Sequence, residues 1–145
     1  MALALYSKTH EDYALTSTSP FTITFDGRLG GKLTKKIYLR NDETAKWYSG
    51  ITITPYDTSG SNIVNGSIDE FEWKLLQKDT APTFEEWDAE DAGATLTISS
   101  NIGNSTFGDI ITYLPIWVFV RIPRGQAVQN ITDVVLRIEA TENLV

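Results

Sequence analysis

The groups in this chain that could do covalent or acid–base chemistry are few, and most are carboxylates. Glu85, Glu86, Asp88, Glu90 and Asp91 crowd one short stretch. Paired carboxylates can share the acid and nucleophile roles of glycoside hydrolysis, and clustered oxygens suit Ca²⁺. The surrounding pattern favours neither. No apolar run beside these acids would raise one carboxyl's pKa. Asp88-Ala89-Glu90-Asp91-Ala92-Gly93 lacks the ligand periodicity and closing Glu of an EF-hand loop. The 145 residues include no cysteine and one histidine, His10. Disulfides, thiolate nucleophiles and Cys-ligated or multi-His metal sites are thereby excluded. Gly30-Gly31-Lys32 has no P-loop spacing and precedes a strand pattern, so it reads as a turn. The expectation is a protein that is not an enzyme, with no metal and no cofactor.

Aromatic side chains offer binding instead of catalysis. Trp47, Tyr48 and Tyr56 flank one strand pattern, and flat rings on a β-scaffold form a sugar-stacking platform, so a carbohydrate-binding module is one reading. The run Leu114-Pro115-Ile116-Trp117-Val118-Phe119-Val120-Arg121-Ile122 carries a second signal. Ile116, Val118, Val120 and Ile122 share one face, which leaves Trp117 and Phe119 on the other. An antiparallel sheet over a core is polar on its outer face, so these two rings require a cover. Either the chain's own segments or another subunit would supply it.

The elements that position these residues are strands. β-branched and aromatic residues alternate with polar ones between Gly, Asn, Asp and Pro punctuation. Such runs lie at Phe21–Phe25, Leu33–Arg40, Ile51–Thr54, Phe71–Leu75, Leu96–Ile98, Ile116–Ile122 and Val134–Ile138, with another around Ile110–Tyr113. Trp73 shares a face with Phe71 and Leu75 and reads as core. The one helical signal is a capping box, Thr83 to Glu86, which starts a single turn reaching Trp87. About seven or eight short strands make an all-β domain, an antiparallel β-sandwich of immunoglobulin-like or jelly-roll type. It is expected over residues 21–145. Residues 1–20 lack sustained alternation and read as an extended arm, with Leu3, Leu5, Tyr6, Tyr13 and Leu15 as its apolar contacts; a flexible tail or an irregular edge strand on the chain's own domain is the alternative.

The formal net charge is −7, with acid concentrated in residues 69–91 and base in 28–46. An acidic chain repels phosphate, so direct nucleic-acid binding is not expected. The basic and acidic stretches are either solvated faces or complementary patches that fix register between subunits. Met1-Ala2-Leu3-Ala4-Leu5-Tyr6 has no basic leader and is cut off by Lys8, unlike a secretion signal. The apolar stretch Ile110–Val120 is too short to span a bilayer. Synthesis in the cytoplasm, with no membrane partner, is the expectation.

Ile37-Tyr38-Leu39-Arg40-Asn41-Asp42, Pro82-Thr83-Phe84-Glu85-Glu86-Trp87 and Pro115-Ile116-Trp117-Val118-Phe119-Val120-Arg121-Ile122-Pro123 together resemble small β-sandwich virion proteins of tailed bacteriophages. That group includes capsid decoration (cement) proteins and head or tail accessory proteins. The likeness runs in order from residue 37 to about 140. It implies a virion structural protein, homo-oligomeric and bound to the major capsid protein or other virion subunits. The carbohydrate-binding alternative would then belong to a tail or fibre.

Overall fold

Period-two alternation becomes strand pairing along most of the chain. The computed structural model describes residues 3–8, 14–16, 22–43, 45–58, 71–103, 113–125 and 134–144. Its elements are β1 (Leu3–Tyr6), β2 (Gly31–Asn41), β3 (Lys46–Asp57), β4 (Glu72–Gln77), α1 (Phe84–Asp88), β5 (Leu96–Ile98), β6 (Tyr113–Ile122) and β7 (Val134–Leu144). They form two antiparallel sheets, ordered β1-β2-β6-β4 and β5-β3-β7. The chain is all-β, as its pattern predicts.

One apolar cluster draws on both sheets. The first contributes Leu3, Leu5, Ile37, Leu39, Leu75, Leu114, Ile116, Val118 and Val120; the second contributes Tyr48, Ile51, Ile53 and Ile98. Ile102 joins them by a bridge to Tyr48, with both backbone hydrogen bonds made. Trp73 packs against the edge of this cluster.

Two prolines sit inside strands, and the register shows why they are tolerated. Pro115 pairs with Tyr38 of β2, but the β4 ladder on its other side stops at Ile116. Pro55 pairs with Leu136 of β7, while the β5 ladder stops at Ile53. Each proline therefore has a strand on one side only among the described residues, where a missing N–H breaks no ladder.

Two expectations are revised. Leu3 and Leu5 are core residues, 3% and 7% exposed, on a strand that pairs Leu3↔Asn41 through Tyr6↔Tyr38. Residues 3–6 are therefore an edge strand of the first sheet and not part of a free arm. The sequence Leu-Ala-Leu-Tyr carries no polar residue to mark an outer face, yet two leucines on one face suffice to bury it. Leu15 follows them: its N–H donates to the Leu5 carbonyl at 2.8 Å, and its side chain packs on the core. The strand expected over 21–25 forms no ladder across 22–25, although Ile23 and Phe25 do pack inward. Alternation specifies a buried face; it does not guarantee a neighbouring strand in register. Of the segment expected around 110–113, Tyr113 opens β6 and residues 110–112 lie outside the described residues, as does Tyr13.

Candidate functional site

The outer face of the first sheet carries most of the chemistry on view. Register places Tyr6, Tyr38, Tyr113, Trp117 and Phe119 there together with Lys32, Lys36, Arg40, Lys74 and Arg121. The two sets interleave. The Arg40 guanidinium lies 3.7 Å from the Tyr6 ring centroid, and Lys36 Nζ lies 5.6 Å and 5.9 Å from those of Tyr38 and Trp117. Lys74 Nζ is 5.7 Å from Phe119, and Lys32 Nζ is 4.7 Å from Phe84 of α1. Each cation lies within cation–π reach of a ring. An aromatic outer face is thus covered largely from within the chain.

The basic and acidic stretches meet here as well. Lys36 Nζ donates to the Asp79 carbonyl at 2.6 Å and its carboxylate at 3.2 Å, and Arg121 Nε donates to Glu72 at 2.7 Å. That bond holds the Glu72 carboxyl below its ordinary value, against the opposing effect of burial. Arg40 also donates to the Lys8 carbonyl at 3.0 Å and to Asp42 at 3.0 and 3.2 Å. It pins β1 and the residues after it to β2.

Helix α1 closes one end of this face. Its capping box is complete: Glu86 N–H donates to Thr83 Oγ1 at 3.2 Å, and Thr83 N–H donates to Glu86 Oε1 at 3.0 Å. Lys78 bonds the same carboxylate and, with Thr83, lowers its pKa. The turn so fixed drives Trp87 onto Phe119, with ring centroids 5.3 Å apart and planes at 36°. Lys74 Nζ donates to the Trp87 carbonyl at 3.0 Å. Trp87 Nε1 and Trp117 Nε1 are buried donors with no acceptor among the described residues.

Between α1 and the strands lies a cleft of about 320 Å³, lined by Lys32, Glu72, Lys74, Phe84, Trp87, Asp88, Phe119 and Arg121. Lys32 and Arg121 also border a shallower depression formed by Leu29, Gly31, Ile122, Pro123 and Arg124. Leu29 and Phe84 stand 65% and 64% exposed at this end. The turn that presents Leu29 is tightly built. Gly30 N–H donates to the Asp26 carbonyl at 2.9 Å, and Gly30 has φ 69°. A Cβ there would lie 2.9 Å from the backbone of Ile122, Pro123 and Arg124.

The residues expected to bind are dispersed. Leu3, Leu5 and Leu15 belong to the core and its edge, and Tyr6 is buried under Arg40. Phe119 is 9% exposed, sealed by Trp87 and Lys74; Trp117 is partly buried. The stacking triad does not exist as a unit. Tyr48 is fully buried, its hydroxyl donating to Glu142 Oε1 at 2.9 Å. Trp47 pairs with Asn143 and Tyr56 with Val135, placing those rings roughly 26 Å apart at strand rise. Tyr56 is 42% exposed and stacked by Arg137 at 4.0 Å. Leu29 lies in a turn and Phe84 in the first turn of α1, where no alternation in the sequence singles them out. No family model, curated protein or solved structure matches this chain.

Proposed function

We propose that the protein is a structural component of a tailed-bacteriophage virion, a capsid decoration or minor head protein that bridges neighbouring subunits without catalysis. Its scaffold in this reading is a β-sandwich. The order β1-β2-β6-β4 departs from the constant-type immunoglobulin arrangement, in which the fifth strand lies between the second and fourth.

The observation that supports the reading is the Leu29–Phe84 end of the first sheet. Two large apolar side chains stay exposed beside Lys32, Arg121 and Arg124, in a chain of net charge −7. Covering each would contribute about 2 kcal/mol by area. Arg121 is already bonded to Glu72, so Lys32 and Arg124 are the cations that would favour a partner surface that is apolar and carries carboxylates, here a major capsid protein. Bound only in the assembled state, such a subunit stabilises the shell by mass action.

Co-sedimentation with shells of the major capsid protein from the genome carrying this sequence tests the reading. The wild-type chain is expected to pellet with shells, and a Leu29→Glu, Phe84→Glu variant with unchanged circular dichroism to remain in the supernatant. Wild-type protein that stays behind, or a variant that binds equally well, overturns it.

A further inference from the structure

We infer that β7 is a self-pairing edge, through which two copies of this chain join their three-stranded sheets into one antiparallel ribbon. The starting point is an asymmetry among the four sheet edges. Along β1, Tyr6 bridges Ala14 and the Leu5 carbonyl accepts from Leu15. On β4, the Trp73 carbonyl accepts from Gly93 at 2.7 Å. The β5 edge is three residues long. β7 runs for 11 residues and pairs only with β3 among the described residues. A long edge of that kind is a template for another strand.

The sequence of β7 names the occupant. Two antiparallel copies related by a two-fold axis through the sheet must place one residue opposite itself, and facing side chains must come from the same side. Centred on Arg137 or Glu139, the pair would set like charges directly opposite, which is destabilising. Centred on Ile138, it sets Arg137 opposite the second copy's Glu139 and Glu139 opposite its Arg137. The same register sets Leu136 against Ala140 and Val135 against Thr141, and it aligns residues 134–142 of both strands. Arg137 and Glu139 are exposed on the outer face of the sheet. Stacking on Tyr56 at 4.0 Å already orders the Arg137 guanidinium. Alternating paired residues along this register would add about eight to ten backbone hydrogen bonds. The charge pattern is complementary to itself, so a second copy of this chain fits the edge without any other partner.

This pairing uses the opposite sheet from the Leu29–Phe84 end and does not depend on shell binding, so either idea can fail alone. Sedimentation equilibrium of the full chain reads it out. Wild type is expected to dimerise. Arg137→Glu and Glu139→Arg should each weaken the homodimer roughly tenfold or more by turning two opposite-charge pairs into like-charge pairs. Mixing those two variants restores both Arg–Glu contacts, so an equimolar mixture should form a heterodimer at wild-type concentrations. The charge-swapped Arg137→Glu, Glu139→Arg chain should dimerise by itself. Thermal melts confirm that each variant is folded. A wild type that stays monomeric up to its solubility limit overturns the inference, as does a dimer indifferent to the single reversals or a mixture that fails to associate.

Discussion

Arg40 shows how much one side chain can organise. Its guanidinium lies over the Tyr6 ring, holds the Lys8 carbonyl and forms a two-pronged bond with Asp42. Tyr6 is shut in by that arrangement. Burial first, and hydrogen bonding with Asp42 second, raise its phenol from 10.0 to about 12. The folded pKa is therefore above the unfolded one. The stabilisation tied to the neutral phenol is complete below pH 10.0 and lost as pH rises toward about 12. An ultraviolet titration of the phenolates, compared with that of Tyr6→Phe, should show one late group missing in the variant. Identical curves would contradict the enclosed position of this ring. Nothing in the sequence marks the pairing, because Tyr6 and Arg40 are joined only by the β1–β2 register.

Strands whose alternation is bounded by turn residues were legible, even three-residue β5; β1 was not. β2, β6 and β7 each announce themselves by several residues on one face. The Thr83–Glu86 box located α1 because its signal is local: a hydroxyl and a carboxylate one turn apart. β1 has only Leu3 and Leu5 to show, and its status depends on the vacant side of β2, which local pattern does not encode. The same limit hid the proposed binding end. Phe84 becomes a wall of the cleft only once β2 and β6 stand beneath α1. A consequence belongs to β1. Deleting residues 1–8 removes two buried leucines and the clamp on Arg40, at a cost of about 5 kcal/mol or more. Typical domain stabilities are about 5–15 kcal/mol, so the truncated chain should melt far below the intact one or be unfolded at room temperature. Circular dichroism that keeps the native melting curve would return these residues to the status of a dispensable arm.

Across the whole molecule, the acidic excess is partly spent on internal contacts, and this sets its response to pH. Hydrogen bonds from Arg121, Lys78 and Lys46 hold Glu72, Glu86 and Glu142 below the ordinary carboxyl value of 4.5. Their folded pKa values are depressed, so their contribution is present above pH 4.5 and disappears as acidification passes through the lowered values. Together with Tyr6 at the alkaline end, this predicts a melting temperature that is level in between and falls on both sides. A melting temperature unchanged well below pH 4.5 would show that these contacts carry no stability. Composition alone could suggest an acidic, cysteine-free β protein; it could not tell which charges face each other across strands.

The prolines at the ends of the short ladders have one more effect. A foreign strand trying to lengthen β4 or β5 would meet Pro115 or Pro55, a residue with no proton to offer. Accretion at those ends is blocked. If β7 is consumed by its twin as proposed, the longest of the four sheet edges closes on itself and is no longer open to a third copy.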